Sequence, residues 1–323
     1  MKKTFWSLMD NRRGSVGQAL GIIGALDKNI FEITEKNLEY NPLSALPNWI
    51  RGCSLLGITQ RSAASIKAPF PDYVLSTSRR TAPVARYIKK NSPKTKLIQL
   101  MYAGKTGLKD FDLVIVPEHD KQKAKGENIH YIVGCPHRIT SEFLQKEREK
   151  WTSVFAELPK PLTAVIIGGA IKKKPFSAEN ALALGKALKA LKKNIGGSLL
   201  ITTSRRTGEE AQKIIMEQIK DIPQHTFLWG DKSENPYGGY LACADNLVVT
   251  GDSVSMCCEA TGTGKPLWIF CGQNWLTKKH LRFVNSLYEA GCAEPLSDNP
   301  NTSFKPQKGL NAAAEIAELI KKL

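Results

Sequence analysis

The pentapeptide Thr-Ser-Arg-Arg-Thr occurs at residues 77–81 and again at residues 203–207. Each copy follows a short apolar run and leads into a segment with helical spacing of apolar residues. A strand that ends in hydroxyl residues before a helix directs backbone N–H groups and the positive end of the helix dipole at one spot. The two arginines add planar cations suited to phosphate or carboxylate. The repeat therefore predicts two α/β halves, each with an anion site at the carboxyl edge of its sheet.

A plainer interpretation of the repeat stays open at this point. Arginines early in a helix are often solvated or paired with neighbouring carboxylates, and the serines and threonines can be ordinary N-caps. Five residues are also too few to demonstrate a duplication. The two interpretations differ in whether the arginines are available to a ligand.

Strand-like and helix-like segments alternate along almost the whole chain. Such alternation is typical of doubly wound parallel sheets, which bind ligands at the carboxyl ends of their strands. A charged helical segment that ends at Pro159-Lys-Pro161 interrupts the alternation, which then restarts. We therefore predict an α/β protein with two domains, at 1–150 and 151–305, and a C-terminal helix at 306–323 that could pack back on the first domain.

The charge balance restricts the partners. The chain has 323 residues, of which 46 are lysine or arginine and 30 are aspartate or glutamate, so its formal net charge is +16. A field of that sign attracts nucleic acid, anionic membranes or phosphorylated small molecules. The lysines form short clusters without a basic tail or interleaved aromatic residues, so no nucleic-acid partner is predicted.

Targeting signals bear on where the protein acts. Seven cysteines without C-x-x-C spacing favour a reducing compartment. The first apolar stretch stops at Asp10, too early for a secretory signal, and no run of 18 apolar residues occurs. We therefore expect a cytoplasmic protein.

Residues 43–66, which are basic, amphipathic and contain a tryptophan, could lie on an anionic membrane or pack as a helix on the sheet.

The segment with the most features of a ligand site is 244–266. A strand there leads through the turn Gly251-Asp252-Ser253 into a helix start, where Ser253 and Ser255 could offer hydroxyls and backbone N–H groups to phosphate. Glu259 lies one turn further along the same helix face, where a carboxylate could accept both ribose hydroxyls. The alternative is that Asp252 or Ser253 only caps the helix and that Glu259 is solvated.

Two glycine-containing turns are weaker candidates. The strand Ile166–Ile167 ends in Gly168 and Gly169, which either allow close approach of a ligand to the backbone or simply turn the chain. The stretch Arg13-Gly-Ser-Val-Gly-Gln18 is its counterpart in the first half. It lacks the full dinucleotide-binding fingerprint, so a Rossmann dehydrogenase is not favoured.

Three further segments carry polar or aromatic groups at strand or helix ends. His119 and Asp120 follow a strand and suit a general base, although a capped turn explains them equally well. Asn235-Pro-Tyr237 enters a helix, and its tyrosine could stack on a base or fill a wall. Gly104-Lys-Thr-Gly107 lacks the spacing of a phosphate-binding P-loop. The histidines have no metal-binding spacing, so no metal site is predicted.

Several of these motifs together resemble one family, named after a plant mitochondrial fission (elongated-mitochondria) protein, with bacterial members described as glycosyltransferases. The motifs that carry the resemblance are Gly17-Gln-Ala-Leu20, both Ser-Arg-Arg turns, Phe111–Asp120, Asn235-Pro-Tyr237 and Val249–Met256. The resemblance implies a GT-B architecture, in which two Rossmann-like domains face each other across a cleft. The stretch 244–260 is also similar to the donor segment of the N-acetylglucosaminyltransferase of peptidoglycan synthesis, with Ser253 and Ser255 at the diphosphate and Glu259 at the ribose.

What the resemblance implies for function is a metal-independent GT-B glycosyltransferase without a cofactor. It would use a nucleotide-diphospho-sugar and act on a lipid-linked or saccharide acceptor, in the cytoplasm or at the inner face of an anionic membrane. The catalytic base would be Asp120 or His119, with Asp10 behind them. The nucleotide and diphosphate would be held by Gly168, Gly169, Ser204, Arg205, Arg206, Asn235, Tyr237, Gly251, Asp252, Ser253, Ser255 and Glu259. The acceptor-side anion site would comprise Gly14, Gly17, Gln18, Ser78, Arg79 and Arg80.

Two alternatives stay open beside the transferase. The plant member of the family is an adaptor for a dynamin-related protein, so a non-enzymatic scaffold with this fold is one. A nucleotide-sugar epimerase, which would share the donor site, is the other. The sequence leaves the sugar, the acceptor and the oligomeric state open.

Overall fold

The computed structural model describes residues 1–307 and 309–323, and for Arg13 the backbone only. The described chain divides into two compact units. Unit 1 comprises Met1–Arg138 and Asn311–Leu323, and unit 2 comprises Ile139–Leu310. The second unit therefore begins at Ile139, before residue 151, where the sequence analysis began the second domain.

Unit 1 contains one parallel sheet of six strands. Its elements before the boundary are β1 (Lys3–Met9), α1 (Arg13–Ala25), β2 (Phe31–Asn37), α2 (Asn48–Arg51), α3 (Gln60–Ala64), β3 (Tyr73–Ser76), α4 (Ala82–Asn91), β4 (Lys96–Leu100), β5 (Leu113–Pro117) and β6 (Ile129–Ile132), with 3₁₀ turns at Pro42–Ala45, Leu108–Asp110 and Glu118–Lys123. The strand order is β2-β1-β3-β4-β5-β6.

Both faces of this sheet are covered, which is why its inner strands are apolar throughout. Leu75 and Ile98 pack in one core with residues of α1, whereas their neighbours Val74 and Leu97 pack in a second core with residues of α4. The edge strand β2 is different, because its sequence is rich in charged residues and most of its side chains are not buried. The sequence analysis missed β2 for that reason, since its strand predictions rested on apolar runs.

Unit 2 contains a second parallel sheet of six strands. Its elements are α5 (Ser141–Trp151), β7 (Leu162–Ile167), α6 (Ala178–Ile195), β8 (Ser198–Thr203), α7 (Glu209–Gln218), β9 (Gln224–Phe227), α8 (Tyr237–Cys243), β10 (Asn246–Thr250), α9 (Val254–Thr261), β11 (Leu267–Phe270), α10 (Lys278–Glu289) and β12 (Glu294–Pro295). The strand order is β12-β11-β10-β7-β8-β9.

The last helix, α11 (Ala312–Lys321), belongs to unit 1. Ile316 and Ile320 are fully buried there in the same core as Ile22 of α1. None of the helices in the described part of the chain is long and apolar enough to cross a membrane.

Each sheet reverses its strand order beside its first strand. In unit 1, β1 lies between β2 and β3, and in unit 2, β7 lies between β8 and β10. Open parallel sheets bind ligands at the carboxyl ends of the strands next to such a reversal. The residues that follow β1, β3, β7, β8 and β10 are therefore the first candidates for a site.

Candidate functional site

Both copies of Thr-Ser-Arg-Arg-Thr form the same hydrogen-bonded turn. In each, the backbone N–H of the serine donates to Oγ1 of the second threonine at 3.0 Å, and the N–H of the second arginine donates to the serine Oγ at 3.1 Å. The hydroxyls thus bind their own backbone. The first copy follows the third strand of unit 1 and the second follows the second strand of unit 2. The repeat is therefore a shared local turn at different positions of the two sheets.

The arginines of the first copy are engaged within unit 1. The Arg79 guanidinium donates to the carbonyl oxygens of Leu46 at 2.9 Å and Ser44 at 3.3 Å. Arg80 pairs with the Asp10 carboxylate and lies over the ring of Tyr40, with 4.1 Å between its Cζ and the ring centroid. Both cations have partners in the protein, as the plainer interpretation of the repeat anticipates.

In unit 2 the second arginine is held in a comparable way. Arg206 Nη1 lies 2.7 Å from Asp252 Oδ2 and donates to the carbonyl oxygen of Ala170 at 2.9 Å. The Asp252 carboxylate is fully buried and also accepts from the Gly169 N–H at 2.9 Å and from Thr250 Oγ1 at 2.7 Å. Burial raises the pKa of Asp252, against the lowering effects of Thr250 and Arg206.

Gly168 and Gly169 are required by this cluster. The Gly168 N–H donates to Thr250 Oγ1 at 2.7 Å, and the Gly169 N–H is bound by Asp252. A Cβ on Gly168 would lie 2.2 Å from the Asp252 carboxylate, and one on Gly169, whose φ is +151°, would lie 2.0 Å from the Arg206 carbonyl oxygen. The two glycines therefore shape the turn, and their N–H groups are used inside the protein.

Arg205 differs from the other three arginines. Alone of the four, it makes no hydrogen bond or ion pair with any residue that the structure describes, and its side chain is exposed. It lines a cavity at the carboxyl ends of β7, β8 and β9. An exposed guanidinium without a partner, at the mouth of a cavity, is the group most available to an anionic ligand.

The cavity has a volume of about 380 Å³, within the range of ligand pockets. Four of the predicted site residues line it, namely Ser204, Arg205, Asn235 and Tyr237. Phe227, Trp229 and Met256 are among the hydrophobic lining residues that the sequence analysis did not predict. Trp229 is 61% exposed, and its backbone N–H donates to Thr203 Oγ1 at 2.8 Å. A tryptophan just past the end of a strand was the available signal.

Glu259 is linked to the cavity through Tyr237. The Tyr237 hydroxyl donates to the Glu259 carboxylate, and the Tyr237 N–H donates to Asn235 Oδ1 at 2.9 Å. Burial, followed by the charge of Glu259, raises the pKa of Tyr237 well above its usual value of 10, so the phenol stays a donor at neutral pH. The structure thus links Asn235, Tyr237 and Glu259, three of the residues that the sequence analysis assigned to the nucleotide, by hydrogen bonds.

The start of α9 offers hydroxyl groups. Ser253 is the N-cap residue, but its side chain makes no capping hydrogen bond, and the first turn contains no acidic residue. Ser255 follows in that turn with an exposed side chain. Hydroxyls at the positive end of a helix suit phosphate oxygens.

His280, near the amino end of α10, is a neighbour of this site that the sequence analysis missed. Its Nδ1 lies 2.7 Å from Thr277 Oγ1, and its ring is hydrogen-bonded to the Asp252 backbone. Burial lowers the pKa of His280, and the Asp252 carboxylate opposes that effect. In the sequence, only the position of His280 three residues after Thr277 at a helix start could have indicated this hydrogen-bonded histidine.

Asp10 follows β1 at the strand reversal of unit 1. Burial raises its pKa, but hydrogen bonds from Ser78 and Arg80 and the charge of Arg80 outweigh that effect, so the pKa lies below 3.8. Asp10 Oδ2 and Gln18 Oε1 are buried without a hydrogen-bond partner among the residues described. Buried acceptors without a donor are uncommon and costly, so these two atoms distinguish the start of α1 and the end of β1 from most of unit 1.

The helix that carries Gln18 also has open space beside it. A Cβ on Gly14 or Gly17 of α1 would meet no atom within 4 Å. Glycine in a helix interior costs stability relative to alanine, and no packing contact requires it at these two positions. The predicted acceptor-side residues of α1 therefore lie on an uncrowded face.

His119 and Asp120 lie elsewhere in unit 1. They belong to the 3₁₀ turn after β5, where Asp120 Oδ1 pairs with Lys123 Nζ at 2.9 Å and His119 Nε2 is 4.0 Å from Asp120 Oδ2. Strands β3 and β4 separate β5 from β1. Three strand spacings amount to roughly 14 Å, so the structure does not bring this pair together with Asp10.

Comparison with protein families and sequences gives a consistent result. The family model described as Mitochondrial fission ELM1 matches residues 13–323. Uncharacterized protein RP120 of Rickettsia prowazekii is 31% identical, over 98% of this chain and 97% of its own length. Mitochondrial fission protein ELM1 of Arabidopsis thaliana is 28% identical, over 82% of this chain and 67% of its own length.

Solved structures with this fold include glycosyltransferases and epimerases. MurG of Acinetobacter baumannii matches with a TM-score of 0.53 at 14% identity, covering 99% of this chain and 100% of that one. UDP-GlcNAc 2-epimerase of Neisseria meningitidis, bound to UDP-GlcNAc, matches with a TM-score of 0.56 at 13% identity and covers 100% of both chains. The predicted GT-B-type α/β fold, with two parallel sheets, is confirmed.

Proposed function

Since the chain belongs to the Mitochondrial fission ELM1 family and has a GT-B fold, we propose that it is a glycosyltransferase with a nucleotide-diphospho-sugar donor. The observation that carries the proposal is the cavity of unit 2. The cation Arg205 and the ring of Trp229 line it, and the Glu259 carboxylate is hydrogen-bonded to its lining residue Tyr237. Those groups match the diphosphate, the base and the ribose of a nucleotide. The neighbour bound to UDP-GlcNAc supports a donor of this class.

We assign the parts of the donor to named side chains. Arg205, with the hydroxyls of Ser253 and Ser255, would bind the diphosphate. Trp229 would stack on the base, since its ring is largely exposed at the cavity. Glu259 would accept the ribose hydroxyls, with Tyr237 holding its carboxylate in place. Arg206, Asp252 and the two glycines would support this arrangement without touching the donor.

In the reaction, a bond forms between an acceptor oxygen and the anomeric carbon as the bond from that carbon to the diphosphate breaks. The electron pair leaves with the nucleoside diphosphate, and the acceptor proton passes to a base. Arg205 and the positive end of α9 would stabilise the charge that develops on the leaving diphosphate. On this assignment the donor site itself supplies the positive charge, and no metal ion or cofactor is invoked.

We propose Asp10 as the base, ahead of Asp120 and His119. Its Oδ2 has no donor among the described residues, so no protein group competes there with an acceptor hydroxyl. Arg80 keeps the carboxylate ionised at neutral pH. The acceptor would be a lipid-linked or other saccharide, bound near Gln18 and the open glycines of α1. We place the reaction in the cytoplasm, at the inner face of a membrane.

Calorimetric titration with UDP and the other nucleoside diphosphates tests the donor site. Glu259→Ala should weaken binding by ~1–3 kcal/mol, because a buried hydrogen-bond partner is left unmatched. The matched control is Glu217→Ala on α7, which removes an exposed carboxylate of the same unit. If no nucleoside diphosphate binds below millimolar concentration, or if both variants lose affinity equally, the proposal is wrong.

Two other functions are separated by related measurements. A nucleotide-sugar epimerase is favoured by the neighbour that binds UDP-GlcNAc. Incubation with the donor alone followed by sugar analysis distinguishes it, because a transferase without an acceptor leaves the sugar configuration unchanged. A non-enzymatic adaptor is suggested by the name of the Arabidopsis relative. An adaptor would bind no nucleotide in the same calorimetry.

A further inference from the structure

The short helix α2 and the turns on either side of it carry an unusual number of exposed apolar side chains. Of the ten large hydrophobic residues that are exposed in the described part of the chain, four lie between residues 43 and 56. They are Leu43, Trp49, Ile50 and Leu56, with Trp49 72% exposed. Single exposed hydrophobic residues need no explanation, but a group in one segment marks an interaction surface. We call these four residues the apolar face.

The segment that bears the apolar face is held in one conformation by buried polar contacts. Arg51 is 1% exposed, and it donates from Nε to the Leu56 carbonyl at 2.9 Å and from Nη2 to the Arg80 carbonyl at 3.1 Å. Arg79 binds the backbone on the other side, at Ser44 and Leu46. The tryptophan is therefore presented outward by an anchored backbone, and its exposure is a property of the fold.

The sequence that bears the apolar face is basic. Residues 40–71 contain three basic residues and no acidic one. Residues 40–109 contain twelve lysines and arginines against Asp72 alone, so +11 of the net charge of +16 belongs to this stretch. Some of these cations are paired, but Arg61, Lys67 and Lys105 have exposed side chains. Asn48 Nδ2 lies 3.4 Å from the Ala103 carbonyl, which brings the loop of Lys105 next to α2.

We propose that the apolar face docks on an anionic lipid bilayer, with Trp49 and Ile50 entering the headgroup region and Arg61, Lys67 and Lys105 facing the lipid phosphates. Tryptophan prefers the boundary between water and hydrocarbon, and clustered basic residues bind anionic headgroups. Nucleic acid, as an alternative partner, would bind the basic residues but would make no favourable contact with the aliphatic ones. A second copy of this chain would use the aliphatic residues but would bring the same positive charge against itself.

The position of the surface matches the proposed acceptor side. Arg51 binds the carbonyl of Arg80, and Arg80 pairs with Asp10 at the strand reversal of unit 1. Docking by the apolar face would hold this edge of the sheet near the membrane, where a lipid-linked acceptor lies. The inference deepens the proposed function in that respect, but the docking itself does not depend on the donor site.

Vesicle sedimentation with the full-length protein tests the docking. The protein should bind vesicles of phosphatidylcholine mixed with phosphatidylglycerol, and should bind pure phosphatidylcholine at least tenfold more weakly. The double variant Trp49→Ser/Ile50→Ser should lose at least tenfold in partitioning. The control variant Leu182→Ser, at an exposed leucine of α6 in unit 2, should keep it. Equal binding by Trp49→Ser/Ile50→Ser and the parent protein would overturn the proposal, as would absence of binding to the mixed vesicles.

A charge variant tests the second half of the surface. Arg61→Gln/Lys67→Gln should weaken partitioning by about fivefold for each charge removed, because a basic residue near an anionic surface contributes that much. Lys186→Gln/Lys189→Gln removes the same charge from α6. It should change the logarithm of the vesicle partition coefficient by less than half as much. Equal losses in the two variants would mean that only net charge matters, and the assigned surface would be wrong.

Two further measurements separate this proposal from its competitors. UDP titration of Trp49→Ser/Ile50→Ser should match that of the parent protein. Loss of vesicle binding in this variant with retained UDP binding would support the docking surface independently of the donor site. Vesicle binding by a parent protein that does not bind UDP would contradict only the proposed donor site. Sedimentation velocity should give the same mass for parent and variant. A dimer that dissociates on Trp49→Ser/Ile50→Ser would identify the face as a subunit interface and overturn membrane docking.

Discussion

The cluster around Asp252 gives a prediction whose size can be worked out from the structure. In Asp252→Ala, the buried N–H of Gly169 loses its acceptor, which costs ~1–3 kcal/mol. Thr250 keeps one partner, because its Oγ1 still accepts from the Gly168 N–H. Arg206 loses its ion pair, but its side chain is 38% exposed and keeps the Ala170 carbonyl, so this loss is closer to ~1 kcal/mol.

The expected loss of stability in unit 2 is therefore ~2–4 kcal/mol. For a unit of this size, each kcal/mol lowers Tm by about 2–4 °C. Asp252→Asn should lose less, because the amide keeps the volume and one acceptor, and because the wild-type carboxylate already bears a desolvation cost that raises its pKa. Urea unfolding followed by tryptophan fluorescence measures these differences.

A double-mutant cycle with Arg206→Ala isolates the ion pair. The coupling between Asp252 and Arg206 should exceed ~0.5 kcal/mol, because the two side chains are in contact. Asp221→Ala, at an exposed aspartate of unit 2, is the control and should change stability by less than ~0.5 kcal/mol. The reasoning is refuted if Asp252→Ala is as mild as Asp221→Ala, or if the cycle is additive.

Three further predictions concern the remaining polar residues. Arg205→Ala should lower UDP affinity about tenfold, ~1.4 kcal/mol, and should reduce the salt dependence of binding. Arg79→Ala should leave UDP affinity within about twofold, because the Arg79 guanidinium is bound to backbone carbonyls. Titration at two salt concentrations checks both variants, and equal losses would contradict the assignment. Gly169→Ala should destabilise unit 2 by at least ~2 kcal/mol, because the added Cβ would lie 2.0 Å from the Arg206 carbonyl oxygen; an unchanged Tm would show that the turn can relax. Asp10→Asn should make the free energy of unfolding fall less steeply at acid pH. The pKa of Asp10 is lowered in the folded protein, so its contribution to stability is complete above pH 3.8 and is lost as the pH falls through the folded-state pKa. An equally steep fall in the parent protein and the variant, measured by unfolding at several pH values, would contradict this prediction.

Much of the fold could be predicted because its signals are local. The apolar runs that became β5 and β7 are buried at every position, so they had to be inner strands of parallel sheets. The edge strand β2 escaped, because a charged edge strand carries no such pattern. Ser253 and Ser255 could also be proposed from the sequence, since a strand, a turn and a helix start follow one another without interruption there.

The availability of each candidate group was decided only by tertiary structure. Four arginines in two identical pentapeptides are equivalent in sequence, yet Arg80 meets Asp10, Arg206 meets Asp252, and Arg205 is left to the cavity. These partners lie 70 and 46 residues apart in the chain and meet only because of the strand order of each sheet. Composition and spacing determined two α/β halves with polar strand ends, and the packing of those ends determined which of them can bind a ligand.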